Sequence, residues 1–134
     1  MKRSAAIIRS CLPGVLLCLL AVPSFADTSV SELPSTDQMT VEIEHLLSFI
    51  GNSGCDFMRN GGKHSAKDAE SHLRMKYRRG SRYVSSADEF VTRIASKSSW
   101  SGTPYEVDCP DQPAQPAGPW LHQALTELRE SPNS

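Results

Sequence analysis

Several absences narrow the field before any motif is considered. The chain has no apolar run as long as the roughly 20 residues of a bilayer-spanning helix, since "CLPGVLLCLLAV" at 11–22 is broken by Pro13 and Gly14. It has no CxxC pair, no HExxH and no paired-histidine spacing, so nothing in the pattern asks for a structural or catalytic zinc. It has no GxSxG elbow, which removes the usual α/β-hydrolase nucleophile. It also lacks a basic excess: 14 lysines and arginines stand against 15 acidic residues, for a net charge of -1. A general nucleic-acid binder would carry the opposite balance. No internal repeat is present. Neither a metal nor an organic cofactor is expected.

The first segment reads as an export signal. Lys2, Arg3 and Arg9 form a positive beginning, an apolar core follows, and Ser24-Phe25-Ala26 supplies the small residues that a signal peptidase reads. Cleavage is expected after Ala26, placing the mature chain in the periplasm with no transmembrane segment. Residues 27–134 are then enough for one small domain. The leader takes basic residues and no acidic ones with it, so the mature chain is the more acidic part. Cys11 and Cys18 leave as well. Cys55 and Cys109 remain, and two cysteines in an oxidising compartment most simply pair. Closing that loop would contribute about 4 kcal/mol in the chain-entropy account.

Periodicity predicts an all-α domain of four helices over 37–134, after a flexible lead at 27–36. Met39, Ile43, Leu46, Leu47 and Ile50 form one helical stripe, which Gly51 stops. Ser65 with Asp68 resembles a capping box opening a second helix, with Ala66, Ala69, Leu73 and Tyr77 facing inward. Ser86 and Glu89 open a third, buried through Phe90, Val91, Ile94 and Ala95. Residues 96–118 read as a long irregular loop, with a short extended piece at 105–109, where Tyr105, Val107 and Cys109 share one side, and a proline-rich connector before a last helix carrying Leu121, Ala124, Leu125 and Leu128.

The stretch "RNGGKHSAKDAESHLRMK" at 59–76 concentrates the polar chemistry. Arg59, Asn60, Gly61, Lys63 and His64 run towards a helix N-terminus, where free N–H groups favour an anion. The competing reading is a plain connection between helices. His72 and Lys76, at i and i+4, sit at the edge of the buried face, as pocket-wall residues or as a boundary histidine with a snorkelling lysine. Ser98, Ser99 and Ser101 either stiffen their loop or supply a nucleophile with His64 or His72 as base. Trp100 and Tyr105 either belong to a binding surface or cover the disulfide. Charge is sorted: residues 27–58 hold six acids and no lysine or arginine, and 59–82 hold eight bases and two acids. The first two helices are expected to pair through that difference, or else the arginines at 74, 78, 79 and 82 face an anionic surface.

Three spaced segments, R-N-G-x-x-H at Arg59–His64, A-x-x-H-L-x-x-K at Ala69–Lys76 and S-S-x-S-G-x-P-Y at Ser98–Tyr105, together resemble the YfeK-like family of small exported bacterial proteins. The resemblance spans roughly residues 40–107. That family has no assigned function, so the resemblance implies an address and a shared polar residue set but no reaction. The expected candidates are Arg59, Asn60, Gly61, His64, His72, Lys76, Ser98, Ser99, Ser101 and Tyr105. The leading expectation is a binding or interaction module accepting an anionic small molecule or a periplasmic protein. The alternatives are a small hydrolase or lyase with His64 or His72 as general base, and an inhibitor or accessory protein docking through Trp100 and arginines.

Overall fold

The computed structural model describes residues 35–131. The expected leader, residues 27–34 of the lead, and residues 132–134 lie outside the described residues. Ser35 caps α1 (Thr36–Asn52), its hydroxyl accepting from the Gln38 N–H at 3.2 Å, so Ser35 and Thr36 belong to the helix and not to a flexible lead. The stripe expected on this helix is its core face: Ile43, Leu46, Leu47 and Ile50 are fully buried. Among the described residues, no helix is long and apolar enough to cross a membrane.

Past α1 the all-α expectation fails. Residues Asp56–Arg59 form β1 and Gly62–Ser65 form β2, an antiparallel hairpin in which Arg59 faces Gly62. The two residues between them, Asn60 and Gly61, take φ of 49° and 78°. A two-residue loop with both φ positive has the twist that fits a right-handed strand pair, and Asn-Gly is its preferred sequence. The dipeptide is thus a hairpin turn, not a softened bend into a helix. The irregular loop also contributes strands, β3 (Glu106–Asp108) and β4 (Gln115–Pro116), completing a four-stranded antiparallel sheet of order β2-β1-β3-β4. β3 lies within the extended piece expected at 105–109, and the end of the proline-rich connector forms β4.

The sheet escaped the periodicity because its strands are so short. On β1 only Phe57 is buried, on β3 only Val107, and the two face each other across the ladder. One inward residue per strand leaves no alternation to read. What holds these strands is non-local. Cys55 and Cys109, just beyond the paired Asp56 and Asp108, form a disulfide with Cα atoms 4.2 Å apart. The expected pairing therefore staples β1 to β3.

The remaining helices follow the sequence closely. Ser65 caps α2 (Ala66–Gly80), accepting from the Asp68 N–H; its hydroxyl also donates to the Asp68 carboxylate, at 2.7 Å. A 3-10 turn (Ser81–Tyr83) leads to α3 (Ala87–Glu89), which widens into a π turn at Phe90–Ala95. Ser86 caps α3 as expected, while the Glu89 carboxylate reaches back to Ser85. Last comes α4 (Ala117–Glu130), with Pro119 in its first turn, where a missing N–H costs nothing.

Two polar devices tie the helices together. Glu44 of α1 pairs with Arg74 of α2 at 2.6 Å, in line with the complementary charge of the two segments. Glu42 of α1 is buried, and Arg129 of α4 meets its two oxygens with paired 2.8 Å bonds while also reaching Asp88 of α3 at 3.0 Å. A buried carboxylate is tolerable only when paired and hydrogen-bonded in this way.

Candidate functional site

Three elements converge on one side of the sheet: the end of β1 with its turn, the middle of α2, and the Ser98–Tyr105 loop. The loop is fixed by its own backbone, since the Ser98 N–H donates to the Thr103 carbonyl and the Gly102 N–H to the Ser98 carbonyl, both at 2.9 Å. Gly102, at φ 71°, makes the reversal that a side chain would strain. The Ser101 hydroxyl donates to the Asn60 side-chain oxygen at 3.2 Å, so the loop tip is pinned to the hairpin turn. These contacts enclose a cleft of about 350 Å³ lined by Arg59, Asn60, His72, Lys76, Ser99 and Tyr105, among others. A small apolar recess beside it joins His64 to Arg59, His72 and Tyr105.

The side chains in the cleft divide into those already engaged and those with free bonding capacity. The Lys76 ammonium donates to the Ile94 carbonyl at 2.5 Å, to the Lys97 carbonyl at 2.8 Å and to the Tyr105 hydroxyl at 3.3 Å. All three of its protons are therefore used, and what it offers a ligand is charge. Burial, reinforced by the Arg59 charge, lowers its pKa to about 8, so it stays protonated at neutral pH. Burial also raises the Tyr105 hydroxyl. Ser98 is buried and accepts from the Ser101 N–H, so it too is architectural. By contrast, the Arg59 guanidinium and the Ser99 hydroxyl have no protein partner among the described residues.

His72 stands with its ring edge-on to Tyr105, centroids 6.5 Å apart. Burial, followed by the positive charges of Arg59, Lys76 and His64, brings its pKa down to about 4. At neutral pH it is a neutral imidazole, with one N–H to donate and one nitrogen to accept. A group so acidic when protonated is a weak general base at pH 7. No serine–histidine hydrogen bond joins a nucleophile to a base among the described residues, and no cluster of three metal-ligating side chains occurs there.

The expected residues therefore gather, with three exceptions, the first being Ser101, which pins the loop to Asn60 without lining the cleft. Gly61 supplies the turn but does not line the cleft, and His64 meets the others only at the recess. The expected anion seat at the start of α2 is displaced: β2 separates the turn from that helix, the Ser65–Asp68 pair occupies its first turn, and Lys63 is held by Asp56 at 2.7 Å. The cationic groups meet along the flank of α2 instead. Arg79, expected from the sequence only as one of the arginines of a possible anion-facing surface, lines the cleft one further turn along the His72–Lys76 row. The i, i+4, i+7 spacing would have placed it there. Trp100 does not cover the disulfide; it is 98% exposed at the cleft's edge.

Fold and cleft define a small disulfide-braced domain of mixed helix and antiparallel sheet, with a cationic groove that contains no carboxylate among the described residues. The chain belongs to a Family of unknown function (DUF5329), which it matches over residues 37–129. It is similar to the "Uncharacterized protein YfeK" of Salmonella typhimurium (strain LT2), 31% identical over 92 residues that cover 69% of this chain and 72% of that protein. No solved structure matches it significantly.

Proposed function

We propose that the protein is a periplasmic binding module that accepts an anionic group between Arg59, His72 and Arg79. One observation carries the reading: in a chain of net charge -1, the cleft is lined by Arg59, Lys76 and Arg79 and by no aspartate or glutamate. Arg74, Arg93 and Arg129 each pair with a carboxylate elsewhere in the fold, whereas Arg59 has none among the described residues. A guanidinium kept free beside a neutral imidazole and a free hydroxyl is preorganised for a carboxylate, sulfate or phosphate, because its donor fork matches their oxygens. The leader-like segment and the disulfide support an exported, oxidising location.

Isothermal titration with citrate, inorganic phosphate and sulfate tests the reading. Saturable binding is expected, weakening as salt rises, and lost by at least about tenfold in Arg59→Ala. The absence of binding by all three anions, or an Arg59→Ala protein that binds as the unchanged one does, would overturn it.

A further inference from the structure

The cleft at Arg59 does not stop at Lys76. A second cleft of about 460 Å³ adjoins it, sharing Lys76, Arg79 and Ser99 and running on to Tyr83 and Arg93. Its lining also holds no carboxylate among the described residues, although Arg93 is paired with Glu89 just outside it. The result is one elongated trough with cations spaced along it and an exposed aromatic ring at either part: Trp100, 98% exposed, and Tyr83, 58% exposed. Arg82 stacks on the Tyr83 ring at 4.6 Å, which steadies that ring while leaving more than half of the residue open.

We infer that this trough binds an anionic oligosaccharide, a glycan bearing carboxylate or phosphate groups; the inference rests on the anion-binding reading above and names its ligand class. The argument comes from what each wall offers. A tryptophan left almost wholly in water presents a large flat apolar face that folding has not used. The backbone that presents it is held in place, because the loop is closed by its own hydrogen bonds and pinned to Asn60 by Ser101. A pyranose ring has the complementary form, one flat face of C–H groups edged by hydroxyls. The C–H face stacks on the indole, and the hydroxyls meet the free Ser99 hydroxyl and the Asn60 amide. Acid groups on successive rings then meet Arg59 and Arg79. A simple anion would occupy one guanidinium and leave both aromatic rings unused. An acidic peptide would satisfy the charges but has no flat C–H face for Trp100. The length of the trough, two adjoining clefts and not one, suits a chain of rings.

The full-length exported protein should be titrated with tetragalacturonate, a heparin tetrasaccharide and a muramic-acid disaccharide, alongside maltotetraose and tetraglutamate, following tryptophan emission and heat. At least one acidic glycan is expected to bind about tenfold or more tighter than tetraglutamate, with maltotetraose weaker than either. Trp100→Ala should cost about tenfold in glycan affinity and leave tetraglutamate binding unchanged. Trp120 packs against Phe49 and Phe57, so the emission change should vanish with Trp100→Ala and persist with Tyr83→Ala. If tetraglutamate binds through Arg59 as tightly as every acidic glycan, the glycan inference is overturned and the anion site stands. If neither glycan nor peptide nor small anion binds, both fall together.

Discussion

Lys76 and Arg59 carry the same charge in the same cleft, yet their surroundings give them different work. Lys76 caps carbonyls at the end of the π turn, where a widened helix leaves oxygens without intrahelical donors. Replacing it with methionine keeps the stem and strands those carbonyls; a loss of about 2–3 kcal/mol is expected in urea unfolding, given the worth of hydrogen bonds to charged groups. Arg59→Ala should change stability by no more than about 0.5 kcal/mol, since no hydrogen-bond or ion-pair partner among the described residues is lost. His72 sets a pH dependence with a definite sign. Its folded pKa of about 4 lies below its ordinary 6.5, so the folded state resists protonation. This contribution is complete above 6.5 and is lost as pH falls through about 4, because the unfolded chain takes up the proton first. Allowing for solvent screening, the loss is on the order of 1–2 kcal/mol, and His72→Gln should flatten that part of the stability–pH curve.

The hairpin is the element on which the site depends, because it carries Arg59 at its end and Asn60 in its turn. With φ of 78°, Gly61 occupies backbone space that a β-branched residue enters only under strain. Gly61→Val should therefore cost about 1–3 kcal/mol, and amide exchange should quicken in both β1 and the Ser98–Tyr105 loop, since the Asn60–Ser101 contact links them. If exchange quickened in the hairpin alone, the two would be shown to move independently. The helices were legible in advance because their apolar positions repeat at helical spacing and three of them open on a serine cap, Ser35, Ser65 and Ser86. The hairpin's own signal, Asn-Gly, was present too, but the flanking four-residue strands bury a single large side chain and so offered no alternation to support it. The dipeptide fits a loop between helices as well when read without its partner strands.

Two long-range ties hold the domain as a unit. The disulfide joins residues separated by 54 positions. Replacing Cys55 and Cys109 together with serine should lower stability by about 4 kcal/mol, read from denaturant midpoints, through the entropy returned to the unfolded chain. The Glu42–Arg129 pair gathers α1, α3 and α4, and hydrogen bonding from Glu42 and then Asp88 raises the guanidinium pKa further above its usual value. Arg129→Met would leave a buried carboxylate unpaired, a change that costs about 3–5 kcal/mol. A melting point recovered by adding Glu42→Gln would show that the stranded charge is the cause.

Which segments become helices, roughly where they begin and which cysteines pair were readable from the chain, because each is set by neighbours within a turn or two or by residue chemistry alone. The sheet, the distance of the cation cluster from the start of α2, the division of labour between Lys76 and Arg59, and the exposure of Trp100 were decided only in three dimensions. Those features depend on contacts between segments 18 to 87 residues apart. A local pattern carries no record of what will lie opposite it, and an unpartnered charge can be recognised only once every possible partner has been placed.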